Sequence, residues 1–142
     1  MNAGENIKRI RKLRGITQEE LGEMAGMSDS TIRSYEKGRN ALKNEALVKM
    51  AEVLDVAPEA LSGSNIVESA TDLLQVFLLA EEEYGLEPIE GPDGMILGFD
   101  PKAKKSPKVE AALKAWKRKR DALESDEITQ SEYEIWKAQF KA

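Results

Sequence analysis

The 142 residues include no cysteine and no histidine, 33% are charged, and the net charge is −5. Zinc sites of the Cys/His type, disulfides and Cys–His or Ser–His catalysis are therefore excluded, and neither a metal nor a cofactor is expected. The length suits one ordinary domain or two small ones, and a hydrophobic fraction of 41% is enough for packed cores.

The opening MNAGENIKRI lacks the apolar core of a signal peptide. The longest apolar run, Leu73 to Ala80, contains Gln75 and is too short to span a membrane. No membrane partner is expected, and the expected location is cytoplasmic. The charge is unevenly divided. Residues 1–63 carry ten basic and ten acidic side chains, and residues 64–142 carry eleven and sixteen. Within the first half, Lys8, Arg9, Arg11, Lys12 and Arg14 form one basic group, and Arg33, Lys37, Arg39 and Lys43 another. A local basic stripe matters more to phosphate binding than net charge.

A first helix is predicted from about Glu5 to Arg14, with Ile7 and Ile10 inward and Leu13 off that face. Gly15 ends it, and Ile16 tucks in ahead of Thr17. Thr17 and Glu20 make a capping box for a second helix, with Leu21 and Ala25 on one face. Gly22 leaves room for a close neighbour, and Gly26 follows the last helical residue. Ser28 can cap a third helix from Asp29 to Lys37, with Ile32 and Tyr35 inward and Gly38 as its stop. The exposed face is then Asp29, Ser30, Thr31, Arg33, Ser34 and Lys37. Short, hydrogen-bonding side chains of this kind suit a helix that enters a groove and reaches base edges.

After the loop Arg39 to Asn44, Asn44 can cap a fourth helix from Glu45 to about Leu54. Pro58 opens a short fifth helix ending near Leu61. The expected core holds Ile7, Ile10, Ile16, Leu21, Ala25, Ile32, Tyr35, Leu47, Met50, Ala51, Leu54 and Leu61.

Thr17-Gln18-Glu19-Glu20-Leu21, Gly26, Ser30-Thr31-Ile32 and Tyr35-Glu36-Lys37-Gly38 together resemble the helix-turn-helix of phage repressor and Cro-type proteins, the Xre family. The resemblance runs from about Asn6 to Leu61. It implies a five-helix repressor-type domain that binds double-stranded DNA. It also implies a structural salt bridge between Arg11 and Glu36, and a phosphate contact from Gln18. Asp29, Ser30, Arg33 and Ser34 match base-contacting positions. Arg33 suits a bidentate contact to guanine, and Asp29 an acceptor for a cytosine amino group. Asp29 also has a plainer reading as an acid that stabilises the first turn of its helix. Thr31, Lys37, Arg39 and Lys43 are the remaining phosphate candidates. Better-known members often carry glutamine where Asp29 stands, so their operators do not transfer.

Ser62 to Asn65 reads as a short linker, placing a helix-turn-helix domain at 1–63 and a second domain at 64–142. A long helix is predicted from Ile66 to Tyr84, with Asn65 capping and Glu68 three residues on. Ile66, Ala70, Leu73, Phe77, Ala80 and Tyr84 form a seam stepping by four and three. Ile66, Leu73, Phe77 and Tyr84 are the dimerisation candidates. Leu86 to Phe99 reads as a β-hairpin turning at Gly91-Pro92-Asp93-Gly94, with Met95, Leu97 and Phe99 on one face. Two helices follow, one from Ser106 to about Leu123 with Val109, Leu113 and Trp116 inward, the other capped by Thr129 and Glu132 and carrying Tyr133, Trp136 and Phe140. The expected class is mainly α, with a small α+β C-terminal domain.

Seven acids and no base lie between Glu81 and Asp100, and nine bases and only Glu110 between Lys102 and Arg120. These blocks have three readings: pairing within a chain, pairing across a dimer, or a basic helix beside DNA. The function expected is a homodimeric, sequence-specific regulator, a repressor reading a palindrome. The alternative is an antitoxin-type interaction protein whose C-terminal half binds a protein partner. An enzyme is not expected.

Overall fold

The computed structural model describes residues 2–63 and 67–141. The elements run α1 (Ala3–Leu13), α2 (Gln18–Ala25), α3 (Asp29–Glu36), α4 (Asn44–Val53), α5 (Pro58–Ser62), α6 (Ala70–Tyr84), β1 (Leu86–Gly91), β2 (Gly94–Phe99), α7 (Ser106–Glu124) and α8 (Gln130–Gln139). They form two compact units. The first combines α1–α5 with α8, and the second contains α6 to α7.

Local chemistry sets most boundaries. Asn2 accepts from the Glu5 backbone and Glu5 bonds back to Asn2, so α1 starts two residues earlier than Glu5. Thr17 and Glu20 do the same for α2, and Ser28 accepts from Thr31 N to open α3. Gly26 ends α2 at φ 65°, a left-handed conformation that costs a side-chain-bearing residue more. A Cβ on Gly22 would stand 2.7 Å from the Met27 carbonyl oxygen, so the turn closes tightly only over glycine. Asn44 does not cap α4. It is the first helical residue, and Lys43 takes the cap position without a side-chain bond.

The first unit packs around Ile7, Ile10, Leu21, Ile32, Met50, Leu54 and Leu61, all fully buried, with Ala25 and Ala51. Ile16, Tyr35 and Leu47 are partly buried against this cluster. So is Leu13, which therefore belongs to this core and not to a bare surface. Val56 and Ala57 are buried too, beyond the expected set.

The last helix departs from the boundary read at 63/64. It lies on the first unit, where Tyr133 and Ala138 are buried. Ala57 N donates to the Ala138 carbonyl at 2.9 Å, and Gln139 Nε2 donates to Asp55 Oδ2 at 2.6 Å. Arg9 of α1 pairs with Glu134 at 3.5 Å. Tyr133 and Trp136 stack with centroids 5.9 Å apart, and Phe140 tilts against Trp136. The chain thus leaves the first unit after α5 and returns to complete it with α8.

In the second unit, α6 begins at Ala70 and not at Ile66. Ser69 and Asp72 form the capping box there, four residues later than the one expected at Asn65 and Glu68. Asn65 and Ile66 lie outside the described residues. β1 and β2 pair antiparallel from Leu86↔Phe99 to Gly91↔Gly94, leaving Pro92 and Asp93 as the turn. Phe77, Ala80 and Tyr84 of α6 face Leu86, Leu97 and Phe99 of the hairpin and Val109, Leu113 and Trp116 of α7 across an apolar groove of about 450 Å³. Met95, at the turn end of the same strand face, does not line that groove and is 68% exposed. No residue of α6 is buried, and Leu86 is the one buried hydrophobic side chain among the described residues of this unit. Of the two charge blocks, Glu83 and Lys105 pair within the chain, and α7 otherwise pairs along itself, as in Lys117–Asp121 at 2.7 Å.

Candidate nucleic-acid interface

α3 is held from below. Arg11 Nε donates to Glu36 Oε1 at 2.6 Å and Nη2 to Oε2 at 3.0 Å, a two-pronged pair between α1 and the end of α3. Arg11 Nη1 also donates to the Ile16 carbonyl at 2.8 Å, which fixes the loop before α2. Glu36 Oε2 accepts a further bond, from Gln18 Nε2 at 2.7 Å. One carboxylate therefore ties α1, α2 and α3 together. Burial pushes the Glu36 carboxyl upward. The bonds from Arg11 and Gln18, with the charges of Arg11 and Lys8, outweigh it and leave the pKa below the usual carboxylate value.

The Gln18 bond was not among the sequence expectations, which gave this side chain to a phosphate. Its amide reaches Glu36 through one nitrogen. The signal was hidden because Gln18 and Glu36 are eighteen residues apart.

The outer strip of α3 carries Asp29, Ser30 and Arg33, all exposed, and the half-buried Ser34. Ser28 Oγ lies 2.9 Å from Ser30 Oγ and 2.8 Å from Thr31 Oγ1, so both hydroxyls turn onto the cap. Arg33 Nη2 donates to Asp29 Oδ2 at 3.1 Å, with both side chains about half exposed. The signal for that pair is the four-residue spacing of an acid and an arginine on a helix, which the reading of Asp29 and Arg33 as separate base contacts passed over. Lys37 caps the C-terminus of α3, and Lys37, Arg39 and Lys43 are exposed along the loop to α4.

Of the four dimerisation candidates, Ile66 lies outside the described residues. Leu73 is 41% exposed, while Phe77 and Tyr84 line the groove facing their own hairpin and α7.

Two helices at a tight turn, the second presenting a polar strip and braced from behind, define a helix-turn-helix domain. The Helix-turn-helix family matches residues 7–61. An uncharacterized HTH-type transcriptional regulator of Sinorhizobium medicae (strain WSM419) is 34% identical over 56 residues, 39% of this chain and 40% of that protein. A putative HTH-type transcriptional regulatory protein of Pyrococcus furiosus is 31% identical over 52 residues, 37% of this chain and 16% of that one. The likeness thus spans less than half of either relative. Two solved structures are similar to part of the chain. The restriction-modification controller protein C.AhdI from Aeromonas hydrophila is 27% identical, covers 42% of this chain and 89% of its own, and has a TM-score of 0.41. The P22 c2 repressor in complex with synthetic operator 9T is 29% identical, covers 46% and 98%, and has a TM-score of 0.43. The match to the Helix-turn-helix family spans residues 7–61, less than half of the chain.

Proposed function

We propose that this protein is a sequence-specific DNA-binding regulator, a homodimeric repressor that places α3 in the major groove of a palindromic operator in the cytoplasm. The observation that carries this reading is the braced α3 with its polar outer strip. Ser30, Arg33 and Ser34 are assigned to base edges, with Asp29 beside them on the same strip. Gln18, Thr31, Lys37, Arg39 and Lys43 are assigned to phosphates, Gln18 through the amide hydrogen not given to Glu36. The matched relatives are described as transcriptional regulators, in agreement with this role.

Phosphate contacts release counterions, so each one adds to the steepness with which binding falls with salt. Fluorescence anisotropy of a labelled duplex across a salt series is the test. Replacing Lys37, Arg39 or Lys43 by alanine lowers the slope by about 0.9 each and weakens all sequences alike. A slope unchanged in the triple variant contradicts the assignment.

The second unit supports the dimer. Of the fourteen large hydrophobic side chains exposed among the described residues, twelve lie between residues 67 and 127. α6 is apolar nearly all round from Leu73 to Ala80, and a helix of that kind needs cover on more than one side. A two-stranded hairpin is marginal alone. A second copy of the same surface supplies that cover and gives the two-fold symmetry of a palindrome. Leu79 is 67% exposed and Met95 68%. Leu79→Glu with Met95→Glu converts the dimer to monomer by light scattering. A variant that keeps the dimer mass moves the interface elsewhere. A wild-type monomer with the same surface bare favours the antitoxin-type reading, in which a different protein covers it.

A further inference from the structure

We infer that Asp29 is a positioning residue for Arg33, fixing which base pair the arginine reads, instead of being a base reader itself. The inference rests on the DNA-binding reading above. The two side chains sit one turn apart on the exposed strip of α3, joined by the 3.1 Å bond from Nη2 to Oδ2. The helix does not need Asp29 as a cap, because Ser28 already accepts from Thr31 N. The neighbouring Ser30 and Thr31 hydroxyls turn onto Ser28, so neither holds the guanidinium.

The donor count allows both tasks. A guanidinium carries five N–H donors in a planar fork, and guanine takes two of them through O6 and N7. One bond to Asp29 leaves enough for the base. A lone arginine on a long stem samples many rotamers and reaches more than one step of the groove. Bonded to an acid on the preceding turn, it presents its fork in one direction, and less freedom is lost on binding. The pairing also neutralises the acid, which otherwise faces the phosphates unfavourably.

The test uses the full chain and the duplex that the wild type selects, with each base pair substituted in turn. Wild type, Arg33→Ala, Asp29→Ala, Asp29→Asn and the Asp29→Ala/Arg33→Ala double variant are compared. Arg33→Ala loses discrimination at one base pair by about tenfold or more. Asp29→Ala loses it at that same pair and nowhere else, Asp29→Asn retains part of it through its remaining carbonyl acceptor, and the double variant is no worse there than Arg33→Ala. Loss at a different base pair overturns the inference, because Asp29 then reads a base directly. Uniform tightening with discrimination intact overturns it as well, since the acid then only repels phosphate. Uniform weakening with a lowered melting temperature leaves Asp29 as a helix stabiliser and overturns it too. A wild type with no sequence preference defeats the regulator reading and this inference together. Wild-type preference that survives Asp29→Ala defeats this inference alone.

Discussion

Arg11→Ala is expected to destabilise the first unit by about 3–5 kcal/mol, because it leaves the Glu36 carboxylate buried without its cation. The Glu36 side chain is 2% exposed and that of Arg11 10%, so neither charge can turn to water. In a domain of this size such a loss lowers the melting temperature by on the order of 15 °C or more. Glu36→Ala has a comparable effect, since it strands Arg11 and frees Gln18 at once. The Arg11→Met/Glu36→Met pair recovers much of the loss, as an apolar replacement of both partners leaves no unpaired charge. The pair also sets an acid limb. Glu36 titrates lower in the folded chain than in the unfolded one. Its stabilisation is therefore complete above the ordinary carboxylate range and is lost as pH falls through the depressed value. Glu36→Gln flattens that limb. Thermal unfolding by circular dichroism across pH reads all of this, and a loss below about 1 kcal/mol for Arg11→Ala would show that the pair is not buried in solution.

The second large effect concerns α8. Tyr133→Ala is expected to cost the first unit about 3 kcal/mol, through the buried ring and the stack it makes with Trp136. The chain has two tryptophans, and Trp116→Phe leaves Trp136 fluorescence as a reporter of the first unit. In that background Tyr133→Ala shifts the transition down, whereas Ser131→Ala, at an exposed position, leaves it in place. A chain ending at Glu127 loses stability of the helix-turn-helix itself, followed by circular dichroism. An unshifted transition in both variants would mean that α8 does not pack on this unit.

These effects also mark what could be read from residues alone. The turn of α2 into α3 was legible because its rules are local: Thr17 with Glu20, the left-handed Gly26, and the Ser28 cap. The braced end of α3 came from resemblance, since Arg11 and Glu36 are twenty-five residues apart and no spacing rule joins them. The placement of α8 was not legible. Tyr133, Trp136 and Phe140 at helical spacing announce an apolar face but not which core it covers, and the bond from Ala57 N to Ala138 O is a tertiary fact. The start of α6 failed for a different reason. Asn65 with Glu68 and Ser69 with Asp72 offer two capping boxes four residues apart, and a local rule does not rank them. Asn44 shows the same limit: its side chain suits a cap, but the helix begins with it. The seam of α6 was visible in its periodicity, whereas its cover was not. Phe77 and Tyr84 turn toward their own hairpin and α7, leaving Leu74, Leu78 and Leu79 outside.

The most direct measurement is selection of bound sequences from a pool of random duplexes by the full chain, with the mass of the complex read by light scattering. The account predicts an enriched palindrome, half-sites about one helical turn apart, and two chains per duplex. It also predicts that Arg33→Ala loses discrimination at one base pair in each half-site, by about 1–3 kcal/mol. A folded wild type that enriches no sequence would contradict the central claim that α3 reads DNA.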